Sequence, residues 1–293
     1  MVAVECRGLS RPIKKTMVDT LIKDERVTTA EQLQGQPHAK ILTLAEIMPF
    51  LASPDSGKPL RLQEGQPGLT DSEHNYPIVD GTPVLYPACI SEAFLGRGLQ
   101  LKYYDDSKLQ YFLLSQIKQR GEINAASTNV HYQRHLFRMR DFLKDCRGTV
   151  LDVGCDNVQI SASLFNKNCS YIGLDPLHSS KSDFRIIGVG EFLPICDESI
   201  DNVVFSTSLD HILDYHQALE EAQRVLKPGG YIYLSTLIWT ASASLLDDLV
   251  HFHHFREYEI LGALNGMHIE QVRHYQYKDD QHRYGLYISA SKQ

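Results

Sequence analysis

Histidine ordinarily titrates near neutral pH, which suits it to general base catalysis and to metal binding. Two stretches of this chain place it where such chemistry could operate. In Ser206-Thr-Ser-Leu-Asp-His211 a β-prone apolar run ends in polar residues closed by an acid and an imidazole. His211 there is the leading candidate for a base that takes a proton from an acceptor hydroxyl. In His251-Phe-His-His254-Phe255 three imidazoles fall within one short segment, and His253 and His254 are the further catalytic candidates. Such a cluster invites a metal reading, but no acid or cysteine stands beside it at ligand spacing, and no metal is expected.

Groups suited to holding a ligand precede these histidines. Val150-Leu-Asp-Val-Gly-Cys-Asp156 reads as a buried strand ending in Gly154, with a helix starting near Gln159. Gly154 has no Cβ, so a ligand can approach the main chain there. Tyr171-Ile-Gly-Leu-Asp175 is a second strand ending in an acid about twenty residues after the glycine turn, a place from which a carboxylate accepts hydrogen bonds from ribose hydroxyls. A third strand follows Glu191 and delivers Ser206, Ser208, Asp210 and His211 to its end.

The elements that must position these groups are legible from period and punctuation. Thr149–Val153, Ser170–Leu174, Arg185–Gly188, Asn202–Thr207 and Tyr231–Thr236 are short β-prone runs, most of them separated by helical patterns, which implies a parallel sheet covered on both faces. Ile269–Tyr277 and Arg283–Ala290 are two further strands. Asp214 with Gln217 begins a helix, Ala218, Leu219, Ala222, Val225 and Leu226 form its apolar stripe, and Gly229 or Gly230 is the expected left-handed cap. Two helices are expected in 100–146. The basic residues of the second, Arg134, Arg138, Arg140 and Lys144, read as a solvated face. Before them, Tyr76–Val79 and Pro83–Tyr86 flank Asp80-Gly81 as a small β-hairpin, preceded by a polar arm.

Residues 149–236 resemble the class I S-adenosylmethionine (SAM)-dependent methyltransferases, in the branch with the series LDVGCGxG, GLDxS, LPFxDxSFDxV, LxH and ALxExxRVLKPGG. The resemblance implies an α/β fold: a Rossmann-like seven-stranded methyltransferase sheet, mostly parallel with an antiparallel C-terminal strand, plus a small N-terminal β-rich domain. It implies SAM as cofactor, with Asp152, Gly154, Asp156, Asp175, Glu191 and Ser206 as the cofactor-binding candidates. His211 would flank the methyl-transfer site, and the 251–255 segment would border the acceptor pocket. Tyr103, Tyr104, His131 and Tyr132 would belong to a helical lid. Two departures stand out. Asp156 and Val158 replace the family's second and third loop glycines, and Val189 stands where an acid usually meets adenine, leaving Glu191 as the nearest carboxylate. The stretch 51–87, with SPDSGKPL and YPIVDGTPVLYP, is similar to zinc-ribbon-like domains that accompany methyltransferases. Ser53 and Ser56 would occupy the first cysteine pair, and Leu69 and Ser72 the second, so this mini-domain is expected to hold no zinc.

The domains expected are therefore 1–95, the arm and mini-domain, and 96–293, the methyltransferase domain, with 96–148 a helical lid and 149–293 the core. A net charge of −7 argues against nucleic acid, whose phosphates require a basic footprint. The six cysteines form no CxxC pair, and no apolar run is long enough for a membrane span. The expected setting is cytoplasmic, with a small-molecule acceptor, no nucleic acid and no membrane; a homo-oligomer is compatible with the sequence. The implied activity is methyl transfer to an O or N atom of a small-molecule, sugar or natural-product-like acceptor. The alternative is a non-catalytic binding or scaffold protein with a degraded SAM site.

Overall fold

Alternation of apolar residues along the core strands decides how the central sheet is covered. The structure is a computed structural model that describes residues 22–34, 36, 38–88, 130–176, 184–240, 251–277 and 280–293. Its helices are α1 (Ala30–Gln34), α2 (Leu44–Ile47), α3 (Val130–Phe142), α4 (Val158–Ala162), α5 (Tyr215–Val225) and α6 (Glu257–Ala263). Its strands are β1 (Lys40–Ile41), β2 (Arg61–Leu62), β3 (Gly68–Thr70), β4 (Asn75–Val79), β5 (Thr82–Pro83), β6 (Gly148–Val153), β7 (Cys169–Asp175), β8 (Ile186–Ile187), β9 (Ile200–Ser206), β10 (Leu226–Trp239), β11 (Met267–Tyr277) and β12 (Asp280–Lys292).

The large sheet runs β1-β7-β6-β9-β10-β12-β11, with β8 beside β7. β1, β7, β6, β9 and β10 pair in parallel, and β12 is antiparallel to both of its neighbours. This is the expected Rossmann-like α/β arrangement, and among the described residues β1 brings the sheet to eight strands rather than seven. Strand order reverses between β6 and β9, so the carboxyl ends of these two strands flank the crevice where open α/β sheets bind ligands.

The faces separate with period two, as side chains of a strand must. Leu151, Val153, Val203, Phe205, Ile232, Leu234, Leu286 and Ile288 point into one cluster, which α5 and α6 cover. Val150, Tyr171, Val204 and Tyr287 point into the other, beneath α1, α3 and α4. The N-terminal segment shares the first cluster: Ile47, Leu51, Leu60, Leu69, Tyr76 and Leu85 pack there with Ile195 and Leu174. Backbone pairs between Leu51 and Ile195 and between Val84 and Ile187 stitch the two together.

The small sheet runs β2-β3-β4-β5 and contains the expected hairpin. Asp80 and Gly81 take φ of 50° and 79°, the two left-handed residues that a type I′ turn requires. Ser53 and Ser56 do not face Leu69 and Ser72, the positions assigned to the second cysteine pair. Leu69 is fully buried, and Ser72 Oγ accepts a hydrogen bond from Arg61 Nη2 at 2.9 Å. It is Asp71 that meets Ser56, with His74 beyond it. Asp71 accepts from Ser56 Oγ and contacts His74 Nδ1 at 3.0 Å, while Ser53 Oγ bonds the Tyr76 hydroxyl at 2.7 Å.

Two further expectations change. The Leu226-Lys-Pro-Gly-Gly230 stretch is not a helical cap, because α5 stops at Val225 and Leu226 already pairs with Ile200 of β9. Pro228 disfavours helix in the residue before it, and Gly229, at φ 77°, serves a register shift inside β10. Arg138 is not on a solvated face. It is buried, donates from Nη2 to the Asp24 carbonyl at 2.7 Å and lies over the Tyr275 ring. The first expected lid helix, Tyr103 and Tyr104, and the expected boundary at 95–96 lie outside the described residues. Among the described residues no helix is long and apolar enough to cross a membrane.

Because the small sheet and the large one share a core, Leu85→Ala is expected to lower global stability by about 2–5 kcal/mol. Urea unfolding followed by two probes should show one shifted transition rather than selective loss of an N-terminal one.

Candidate functional site

The crevice is built first from the turn after β6. Gly154 sits at φ 81°, and a Cβ built there would lie 2.4 Å from the Cβ of Ser208. Ser208 Oγ donates to the Val153 carbonyl at 2.5 Å. The missing side chain at Gly154 therefore admits Ser208, so that the loops after β6 and β9 close directly on each other. Asp156 follows at φ 42°, a conformation Asp tolerates better than most residues, and is solvent-exposed. Asn157 caps α4, its Oδ1 accepting from Ile160 N at 3.1 Å. Val158 is fully buried and packs against Gly173. The two positions that depart from glycine are thus absorbed locally, one facing solvent and the other in the core.

Two buried acids flank this turn. Asp175, at the end of β7, accepts from Asp156 N at 3.0 Å. Asp152 accepts from the Tyr171 hydroxyl at 2.7 Å through Oδ2, while its buried Oδ1 has no hydrogen-bond partner. Burial pushes the Asp152 carboxyl up to about 7; Tyr171 opposes the shift and the charge of Asp175 adds to it. Glu191 is also buried, but its Oε1 accepts from Leu213 N at 3.0 Å and Asp214 N at 3.2 Å. Its carboxylate ties the loop before α5 to the turn at 190–192.

Ser206, at the end of β9, faces α3. Its Oγ lies 3.0 Å from His135 Nε2, and His135 Nδ1 lies 3.0 Å from the Tyr287 hydroxyl. With both ring nitrogens engaged, burial together with the nearby Arg138 charge pushes His135 down to about 4, so the imidazole is neutral at pH 7. Sequence reading missed this residue. The available signal was its helical spacing from Met139 and Phe142, which put a polar side chain on the buried stripe. Tyr132, on the same helix, stands near Asp156; burial first, and that carboxylate second, push its hydroxyl up to about 12.

The histidines separate into two groups. Leu209–His211 form one 3₁₀ turn, closed by His211 N donating to the Ser208 carbonyl at 3.0 Å. The Asp210 carbonyl accepts from Phe252 N at 2.9 Å and His253 N at 3.3 Å, which fastens the 251–255 segment onto the end of β9. His211 and His251 face each other with ring centroids 4.6 Å apart, and their side chains keep 23% and 19% of their surface accessible, enough to meet a ligand. His253 turns away: its Nε2 donates to the Ile212 and Leu213 carbonyls at 2.8 and 3.1 Å. His254 packs edge-on against Trp239. The fold therefore brings Asp152, Gly154, Asp156, Asp175 and His211 to the carboxyl ends of the neighbouring strands β6, β7 and β9. It directs Glu191, Ser206, His253 and His254 to partners within the protein.

Two consequences can be measured. Gly154→Ala meets both an unfavourable φ and the Ser208 side chain, and should cost roughly 2–4 kcal/mol; adding Ser208→Gly should recover only the steric part in urea denaturation. For Asp152 the folded protein binds a proton that the unfolded chain has released between the ordinary value of 3.8 and about 7. Its contribution to stability therefore falls as pH rises through that window. The slope of unfolding free energy against pH should flatten there in Asp152→Asn, and an unchanged slope would show the carboxyl to be already ionised.

Comparison with known proteins bears on the fold and on the stretch that carries most of these residues. Residues 151–234 match the family model described as a methyltransferase domain. The ubiquinone biosynthesis O-methyltransferase of Homo sapiens is 29% identical over 104 residues, 30% of this chain and 28% of that protein. The ubiquinone/menaquinone biosynthesis C-methyltransferase of Haemophilus ducreyi is 27% identical over 135 residues, 46% of this chain and 44% of that protein. The chain thus spans less than half the length of these curated relatives. A crystal structure of the Burkholderia thailandensis 1,6-didemethyltoxoflavin-N1-methyltransferase, with 1,6-didemethyltoxoflavin and S-adenosylhomocysteine bound, superposes with a TM-score of 0.51 at 13% identity, over 76% of this chain and 96% of that one. Residues 151–234 are thus similar in sequence to a methyltransferase domain, and the fold is shared with that N1-methyltransferase structure.

Proposed function

We propose that this chain binds SAM in the crevice between the ends of β6, β7 and β9 and transfers its methyl group to an O or N atom of a small-molecule acceptor. The observation that carries the reading is the pair of buried acids beside the turn at 154–156. The orphaned Asp152 Oδ1 offers an acceptor suited to an ammonium group, and the buried Asp175 at the end of β7 suits ribose hydroxyls. Neither Asp156 nor Val158 stands against the fit, since one is exposed and the other is in the core.

Bound SAM supplies an electrophilic methyl on a sulfonium leaving group, so the protein's task is alignment and exclusion of water. The loops after β6 and β9, locked through Gly154 and Ser208, set the distance between the cofactor side and the acceptor side. His211 stands on the acceptor side and is placed to receive a hydroxyl proton. His253 and His254 act as pocket scaffold in this reading, and Glu191 and Ser206 hold the surrounding loops and α3. The relatives' printed activities include O, C and N transfer. O or N transfer is favoured for this chain because an imidazole near neutral pH suits the removal of a proton from such an atom.

Isothermal titration with S-adenosylhomocysteine tests the cofactor half of the reading. The expected result is one site, weakened about tenfold or more in Asp175→Ala, since that change removes charge-assisted hydrogen bonds worth about 1.5–3 kcal/mol each. Absence of binding to the wild-type chain at millimolar ligand would leave only a methyltransferase-like scaffold.

A further inference from the structure

The tertiary fold supplies what residue spacing withheld from the histidine cluster. The buried carboxylate of Asp210 lies between His211 and His251. Its Oδ1 is 3.9 Å from His211 Nε2, and its Oδ2 is 3.8 Å from His251 Nε2. One ligand atom from each residue lies within 4.8 Å of the other two. These separations are too long for direct hydrogen bonds, and Asp210 Oδ1, buried and 3% exposed with its side chain, has no hydrogen-bond partner. A buried carboxylate oxygen in that state is costly unless a cation or donor satisfies it.

We propose that Asp210, His211 and His251 form a binding site for one divalent transition-metal ion, such as Zn²⁺, Co²⁺ or Mn²⁺. An ion about 2.0–2.1 Å from each donor places neighbouring donors about 3.3 Å apart, so side-chain adjustments of about 1–1.5 Å or less close the site. Two imidazoles with one carboxylate favour borderline ions over Mg²⁺ or Ca²⁺, which prefer all-oxygen shells. Three protein ligands also leave coordination positions open, the arrangement of a site that takes a substrate atom rather than a purely structural one. The supporting groups are already in place. The Asp210 carbonyl holds the backbone of 252 and 253, and His253 Nε2 holds the Ile212 and Leu213 carbonyls, so the turn and the segment carrying the three ligands are fastened together.

On the methyl-transfer reading the open positions would take an acceptor atom, so the ligand class implied is an oxygen donor such as an enol, phenol or vicinal diol. Coordination lowers the pKa of a bound hydroxyl. With the metal present, that acidification takes the place of His211 as a free base. This role in catalysis rests on the methyl-transfer reading, whereas metal binding does not and is measured on the protein alone.

The test is titration of the chelator-treated full chain with Co²⁺, followed by visible absorption, and then with Zn²⁺. One Co²⁺ per chain, displaced by one Zn²⁺, is expected. His211→Ala and His251→Ala should each weaken Co²⁺ binding at least about tenfold while leaving the metal-free unfolding midpoint near that of the wild type. His216→Ala, at an exposed histidine whose ring lies tilted against Tyr215, should bind as the wild type does. Wild-type protein that takes up no Co²⁺, or His251→Ala that retains wild-type affinity, overturns the site. Asp210→Asn probes the carboxylate, and the histidine variants carry the test if that variant does not fold. Loss of SAM binding with metal binding intact would refute the methyl-transfer reading and leave this one standing.

Discussion

The contact between Gly154 and Ser208 sets the geometry on which the crevice depends. A side chain at position 154 would collide with Ser208 at 2.4 Å, and Ser208 in turn is held by the Val153 carbonyl. Because strand order reverses between β6 and β9, this is where two loops diverge to opposite sides of the sheet and would otherwise splay apart. The close approach brings the acid-rich turn of β6 and the Asp210-His211 turn after β9 into one wall. Neither turn could be moved without the other.

Around this contact the protein uses buried polar groups in two ways. Some are fully engaged and act as fasteners: Glu191 on the 213–214 backbone, His135 between Ser206 and Tyr287, and His253 on the 212–213 carbonyls. Others are left short of partners, notably Asp152 Oδ1 and Asp210 Oδ1. An engaged polar group rigidifies its surroundings, while an unengaged one carries a desolvation cost that a ligand can relieve. Both of these orphaned oxygens lie at the carboxyl edge of the sheet beside the switch point, Asp152 in β6 and Asp210 in the turn after β9. That position separates a site from the many hydrogen-bonded acids elsewhere in the chain.

The N-terminal segment is part of the same construction. β1 extends the large sheet, and the residues of the small sheet share a core with β7 and the 193–195 stretch. The Ser53, Ser56, Asp71 and His74 cluster is hydrogen-bonded within itself, so this corner is held by side-chain bonds together with the apolar contacts beneath it.

What the sequence determined by itself was local. Period-two and helical patterns located the strands from β6 onward and α3 and α5; Asp80-Gly81 located its hairpin, and the spacing of Asp175 from the glycine turn put an acid at the end of β7. It also identified Asp156 as a residue able to turn the loop without glycine, because that tolerance is a property of the residue. Only the tertiary structure decided which polar side chains face the crevice and which are consumed inside. Ser206 turns to α3 because its strand position alternates with that of Phe205, and whether a helix with a histidine lies on that face cannot be read along the chain. Glu191 and His253 meet backbone groups of a loop distant in sequence. Asp210 joins His251 because a segment following β10 folds back onto the end of β9, a pairing set by three-dimensional packing that sequence separation does not encode.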